Sequence, residues 1–376
     1  AAKADSVQQR RPNVVLIMME SMSAKFMKHF GQSETLTPFL DSLYTRSISF
    51  RNFYSAGIHT NHGLYATLYS FPAMMKRNLM KGSVIPRYSG LPTVLKENGY
   101  YNLFFMTHEG QYDNMNAFFR TNGYDEVFSQ ENYPADKVVN SFGVQDDFLY
   151  DYAIPVLNQR AATGQPFFAT LLSISNHPPY VIPPFFHPKT SEPETQIVEY
   201  ADWALRQFFE EARKQPWFDN TIFVLEGDHG KLVGDAECEL PESYNHIPLM
   251  IYSSRIQPEE KTAFGGQVDI QPTILGLLNI DYLQNNFGVD LLKEERPCMF
   301  YTADNMVVGR NDTLLYLYNY ETQQELTYDI GNGKLNAVPM DDSFLPLKEY
   351  SFSMLQSAEF LVKHGKTLNS IPFTQQ

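Results

Sequence analysis

Six consecutive apolar residues, VVLIMM (14–19), run directly into a glutamate, Glu20. A run this solid suits a strand buried on both faces, and such strands belong to parallel sheets covered by helices on each side. The pattern recurs along the chain. YNLFFMT (101–107) leads into His108, PFFATLLSIS (166–175) into Asn176 and His177, and NTIFVLEG (220–227) into Asp228 and His229. SISFRNFYSAG (47–57) and IPLMIYS (247–253) read as further strands. Helical segments fall between them: TPFLDSLYTRS (37–47) with its Thr-Pro start, GLYATLYSF (63–71), and LPTVLKENGY (91–100) closing on Asn-Gly. The amphipathic YADWALRQFFEEARKQ (200–215) and QPTILGLLNI (271–280) follow. This alternation predicts an α/β fold with a doubly wound, mostly parallel sheet. In such sheets ligands bind at the carboxyl ends of the strands, where the polar clusters named above all fall.

The texture changes near residue 300. Period-2 patterning and a turn at Arg310-Asn311-Asp312 predict a small antiparallel sheet, and the tail from about 343 predicts a helix. The expected organisation is a linker over 1–12, a catalytic domain over 13–298 and a C-terminal α+β subdomain over 299–376 packed on it. The proline-rich segment 178–196 is expected as a loop at the mouth of the site. A net charge of −14 without basic clusters argues against a nucleic-acid partner, while a small phosphate ester held by a metal stays compatible. The two cysteines, Cys238 and Cys298, form no CxxC, which excludes a thiolate zinc site and leaves open whether they pair. No apolar run reaches the ~18–20 residues that span a bilayer. The polar start reads as a linker compatible with a membrane anchor upstream.

Three stretches carry chemistry. In GDHG (227–230), Asp228 and His229 are natural ligands for a divalent cation, and the flanking glycines permit close approach. A surface loop is the alternative. Glu20 is either a ligand at a strand tip or a partner for a helix dipole. In AGIHTNHG (56–63), Thr60 is either a loop or cap residue or a nucleophile. A threonine hydroxyl attacks poorly at neutral pH unless a cation lowers its pKa. The helix expected from near Gly63 would offer backbone amides to a phosphate.

Taken together, these residues resemble the signature of the alkaline phosphatase superfamily. More narrowly, the chain resembles the lipoteichoic acid synthase-like phosphoglycerol transferases. The matching stretches include NVVLIMMESMSAKFM, FYSAGIHTNHGLYATLYSFPA, FFMTHEG, NGYDEVF, ISNHPPY, FVLEGDHG and NHIPLMIYSS, in family order over roughly 13–293. The resemblance implies that Thr60 is the nucleophile and forms a covalent phospho-threonine intermediate. It implies that Glu20, Thr60, Asp228 and His229 hold one divalent cation, manganese first, with zinc or magnesium as alternatives. His177 would contact the phosphoglycerol group or protonate the leaving oxygen, and His108 would line the pocket. The implied partners are a phosphatidylglycerol-like phospholipid head group and an alcohol acceptor, met on the outer side of the cytoplasmic membrane. A phosphoethanolamine transferase, a phosphodiesterase or a metal-binding pseudoenzyme on the same scaffold are the alternatives.

The chain departs from the family at the substrate pocket. Relatives carry a tryptophan and an arginine where Asp113 and Met115 stand here, with Arg120 as a candidate replacement cation. Thr60-Asn61-His62-Gly63 lacks the Cys or Ser that a sulfatase converts to formylglycine. Ser173 stands where a two-metal relative would place a carboxylate, which favours one metal and leaves His246 as a phosphate or water contact, or structural. His59 and His62 are expected to shape the pocket without entering the metal site.

Overall fold

The computed structural model describes residues 11–331 and 333–369. Residues 1–10 of the expected linker lie outside that range. The first half of the chain builds β1 (Asn13–Met19), α1 (Pro38–Tyr44), β2 (Ile48–Tyr54), α2 (Thr60–Tyr69), α3 (Leu91–Glu97), β3 (Tyr101–Phe105), α4 (Met115–Thr121), β4 (Glu126–Phe128) and α5 (Asp146–Ala162). Then follow β5 (Phe167–Leu172), α6 (Pro193–Ala212), β6 (Thr221–Gly227), β7 (Leu249–Tyr252), β8 (Glu259–Gly266) and α7 (Ile270–Leu277). Their strands form one eight-stranded sheet in the order β4-β3-β5-β1-β6-β7-β2-β8. Only β7 runs antiparallel to its neighbours.

The sheet is doubly wound because β1 is apolar on both faces. Val14, Leu16 and Met18 enter one buried cluster with residues of α2, α3 and α7. Val15, Ile17 and Met19 enter the other with residues of α1, α5 and α6. Alternate side chains of a strand point to opposite faces, so a solid apolar run feeds two cores at once.

The chain continues into a five-stranded antiparallel sheet: β9 (Met299–Thr302), β10 (Met306–Arg310), β11 (Leu314–Asn319), β12 (Gln324–Gly331) and β13 (Lys334–Ala337). It ends with α8 (Leu345–Lys363). Glu242, in the loop after β6, joins this sheet to the main one. It pairs with Arg310 of β10 and accepts a hydrogen bond from Tyr54 at 2.9 Å. Cys238 and Cys298 are both free thiols.

Several elements differ from the sequence expectation, each for a local reason. α5 was not expected; its segment opens on two aspartates and contains Pro155, which hides the buried stripe Leu149, Tyr150, Ala153 and Leu157. α6 begins at Pro193, so the last residues of the expected 178–196 loop are helical, with proline at N1 where it lacks only an amide that no carbonyl needs. β8 starts with charged, exposed residues, as edge strands do, and so has no apolar signal. α2 starts at Thr60 and not near Gly63, which places Thr60 in the first turn.

Gly63 has a different role. A Cβ there would lie 2.3 Å from the Asp228 carbonyl oxygen, so only glycine lets α2 approach the end of β6. Buried Gln267 staples the same junction. Its Nε2 donates to the Gly227 and Asp228 carbonyls at 3.1 and 2.8 Å, and its Oε1 accepts from the Ala56 amide at 2.9 Å.

Gly63→Ala is expected to push α2 away from β6 and to destabilise the protein by about 1–3 kcal/mol, measurable by denaturant unfolding. Arg310 beside Glu242 holds its carboxyl down at about 2, against an ordinary 4.5. A carboxylate depressed on folding stabilises fully above its unfolded pKa and loses that contribution as pH falls towards its folded value. Arg310→Met is therefore expected to lower the melting temperature by several degrees at pH 7, and this difference should shrink between pH 4.5 and about 2. Calorimetry of both proteins across that range checks it.

Candidate active site

Parallel pairing of β1 with β6 brings Met19 opposite Gly227, so the next residues, Glu20 and Asp228, emerge side by side. Both are buried. Ser21, with φ of +50°, turns the chain sharply and donates its amide to Asp228 Oδ1 at 2.8 Å. The same oxygen accepts the His229 amide at 2.7 Å, while Asp228 Oδ2 has no partner. The Ser21 hydroxyl donates to Glu20 Oε1 at 2.7 Å. Burial first, and then the Asp228 charge, raise the Glu20 pKa well above the usual carboxylate range.

His229 Nδ1 faces the Gly230 carbonyl at 2.7 Å. A carbonyl only accepts, so Nδ1 carries the proton and the Nε2 lone pair is free. That nitrogen lies 3.8 Å from Glu20 Oε1 and 3.6 Å from Asp228 Oδ2. One ligand atom each from Glu20, Asp228 and His229 falls within 4.8 Å of the others. An orphaned buried carboxylate oxygen, a carboxyl whose charge is opposed by a neighbour, and a free imidazole lone pair fit a divalent cation. Thr60 opens α2 with its Oγ1 donating to Glu20 Oε2 at 3.4 Å. The first turn of α2 also presents amides that lack helical carbonyls.

The other expected residues divide. The loop after β5 carries His177, whose ring lies 4.0 Å from Phe142 and whose Nδ1 meets the Pro178 carbonyl at 2.6 Å. Asp146 pins this loop by accepting the Ile174 and Ser175 amides at 2.8 and 3.0 Å. Burial nevertheless pushes its carboxyl up to about 6. His108 is buried at the end of β3, 4.7 Å from the Tyr112 ring, and burial lowers its pKa.

Two further residues expected as substrate contacts have side-chain nitrogens that bond to neighbours. His246 Nε2 donates to the Arg51 carbonyl at 2.7 Å, and its ring stacks on Tyr54. Arg120 is exposed on α4, where Asn116 holds its Nε at 2.8 Å. Met115 is buried in the core. His59 pairs with Asp304 at 2.6 Å, and His62 is buried with neither ring nitrogen partnered.

Sequence reasoning passed over Lys231 and Gln267. Lys231 Nζ donates to Asn176 Oδ1 at 2.5 Å and Tyr180 Oη at 3.0 Å. Asn176 in turn donates to the Glu20 and Ser21 carbonyls, both at 3.2 Å. Burial pushes the Lys231 ammonium down to about 8, against the opposing pull of Glu20. A lysine directly after GDHG was the available signal. Gln267, in a turn 39 residues beyond Asp228, had none.

The family model described as Sulfatase matches residues 12–280. The chain is 25% identical over 350 residues to lipoteichoic acid synthase 1 of Bacillus subtilis, covering 86% of this chain and 53% of that protein. It is 26% identical over 323 residues to phosphoglycerol transferase I of Xanthomonas campestris, covering 81% and 46%. The chain thus spans about half the length of these curated relatives. A solved alkaline phosphatase superfamily protein from Vibrio parahaemolyticus superposes with a TM-score of 0.85 at 27% identity, covering 95% of this chain and 88% of that one. A lipoteichoic acid synthase from Listeria monocytogenes superposes with a TM-score of 0.80 at 21% identity, covering 95% and 93%. The chain belongs to the sulfatase family, on the alkaline phosphatase fold, and lipoteichoic acid synthases and phosphoglycerol transferases are among its relatives.

Proposed function

We propose that this chain is the catalytic part of a phosphoglycerol transferase that acts on phospholipid-type phosphodiesters through Thr60. One observation carries the reading: the Thr60 hydroxyl, at a helix N-terminus, lies 3.4 Å from a carboxylate that belongs to a buried Glu20–Asp228–His229 cluster. Glu20, Asp228, His229 and the Thr60 oxygen would hold one divalent cation, manganese first. When bound, the ion supplies charge neutralisation at the threonine oxygen and at the phosphoryl group.

The chain's own residues supply the rest. Thr60 Oγ1 attacks phosphorus in line, and the bond from phosphorus to the lipid alkoxide breaks, leaving phosphoglycerol on Thr60. Glu20 Oε2 is the nearby acceptor towards which the hydroxyl proton points. His177 carries its Nδ1 proton on the Pro178 carbonyl, so its Nε2, once protonated, can deliver a proton to the leaving alkoxide. An acceptor alcohol then displaces Thr60, with inversion at each step. Lys231 and Asn176 brace Glu20 from behind. A lipid donor places this domain on the outer side of the cytoplasmic membrane, with an anchor upstream. No described helix is long and apolar enough to cross a membrane.

Intact-protein mass spectrometry after incubation with manganese and phosphatidylglycerol tests this. The expected result is one phosphoglycerol group on Thr60, absent in Thr60→Ala, with turnover reduced at least ~10³-fold. A phosphoethanolamine group taken from phosphatidylethanolamine would overturn the donor assignment. No adduct from any phospholipid would overturn the enzymatic reading.

A further inference from the structure

The segments that follow β3, β4, β5 and β6 each expose a large apolar side chain: Tyr112, Val139, Phe185 and Leu232. One exposed apolar residue is ordinary. Four on neighbouring segments are not, because β4-β3-β5-β1-β6 is a parallel run whose carboxyl ends lie along one edge of the sheet. Glu20 and Asp228 emerge at that same edge. The segments also touch in turn. The Tyr112 ring lies 6.3 Å from Phe142, and the Phe142 ring lies 4.0 Å from His177. Tyr180 Oη accepts from Lys231, directly before Leu232, at 3.0 Å. A second feature borders this rim. No Asp or Glu occurs between Asp41 and Glu97, although the chain holds 43 of them. Within that stretch the loop after α2 exposes Lys76, Arg77, Lys81 and Arg87. Lys81 pairs with Asp113 at 2.7 Å, in the turn beside Tyr112, which sets the loop against the rim. Asp304, Glu321 and Glu359 line one cleft with Lys76 and Arg77 at the base of the loop. Its tip, residues 82–87, is acid-free, and Val84 there is 81% exposed.

We propose that this apolar rim and the basic loop after α2 form a docking face that seats the domain on an anionic phospholipid surface, with the mouth of the site turned to the lipid. This rests on the phospholipid reading above and adds how the site meets a donor held in a bilayer. Val84, Val139, Phe185 and Leu232 would leave water for the acyl boundary. Tyr112 suits the head-group level, where its ring is apolar and its phenol stays wet. The loop's lysines and arginines keep their charges in the head-group layer and draw anionic lipid to a chain of net charge −14 that would otherwise be repelled. Separate segment tips around a cleft can each sink to their own depth in lipid. A protein partner needs one closely packed, complementary patch instead.

Vesicle flotation tests this, with Thr60→Ala protein and an equimolar amount of manganese so that no turnover intervenes. The protein is expected to float with vesicles of equal parts phosphatidylglycerol and phosphatidylcholine, and at least about fivefold less with phosphatidylcholine alone. In that background Val84→Asp and Phe185→Asp should each weaken binding about tenfold, and Arg87→Gln about fivefold. All three sites are at the surface, and an unchanged melting temperature shows that the fold is kept. Arg255 follows antiparallel β7 and so lies at the opposite edge of the sheet, and Arg255→Gln should leave binding unchanged. Equal loss in Arg255→Gln and Arg87→Gln, or no loss in Val84→Asp and Phe185→Asp, overturns the docking face. Self-association that Val84→Asp abolishes, with no vesicle bound, also overturns it and gives the rim to a second copy of the chain. If water-dispersed dihexanoyl phosphatidylglycerol labels Thr60 in wild-type protein while vesicles do not bind, only the docking face fails. If vesicles bind through the rim and no phospholipid labels Thr60, the docking face stands and the transferase reading fails.

Discussion

Two carboxylates buried at adjacent strand ends are the constraint on which the rest of this structure depends. Parallel register between β1 and β6 leaves Glu20 and Asp228 no choice but to face one another. Unit charges about 4 Å apart repel by about 4 kcal/mol at an effective dielectric of ~20. The protein meets part of that repulsion with local donors: the Ser21 hydroxyl, and the Ser21 and His229 amides. It leaves Asp228 Oδ2 bare and turns the His229 lone pair inward. A fold that wanted only stability would have filled these positions with apolar side chains.

The remaining architecture brings Thr60, the proposed nucleophile, to that charge. Gly63 lets α2 pass against the Asp228 carbonyl, and Gln267 ties β6, the Ala56 amide and the turn before α7 into one unit. Buried Glu226, made hard to ionise by its surroundings, accepts from Thr67 and fixes α2 a second time. Thr60 is therefore placed by backbone packing, with its hydroxyl making only a long hydrogen bond to Glu20 at 3.4 Å. That separation matches the needs of a nucleophile, whose oxygen must stay free for phosphorus.

Much of this was legible in the sequence because it follows from period and position. Solid apolar runs ending in acid or histidine announce parallel strands and their carboxyl ends, and the period-2 texture after residue 300 announces the second sheet. What stayed hidden lacks a local signal. α5 carries a proline and a charged start, and β8 is an exposed edge. The start of α2 depends on backbone packing at Gly63, three residues beyond Thr60. Within the site, Glu20, Asp228 and His229 sit where strand-end logic placed them. Arg120 and His246 were expected as substrate contacts, and each bonds to a neighbour, Asn116 Oδ1 and the Arg51 carbonyl. Lys231, Gln267 and the Asp113 turn act through contacts between segments far apart in sequence, which no single stretch could reveal.

In the proposed enzyme, Glu20, Thr60, Asp228 and His229 form one coordination sphere around one ion. Anomalous diffraction from crystals grown with manganese tests it most directly. A single strong peak within coordination distance of all four residues is expected, lost in Asp228→Asn. Two fully occupied peaks about 4 Å apart, or a peak that the Thr60 oxygen does not reach, would contradict it.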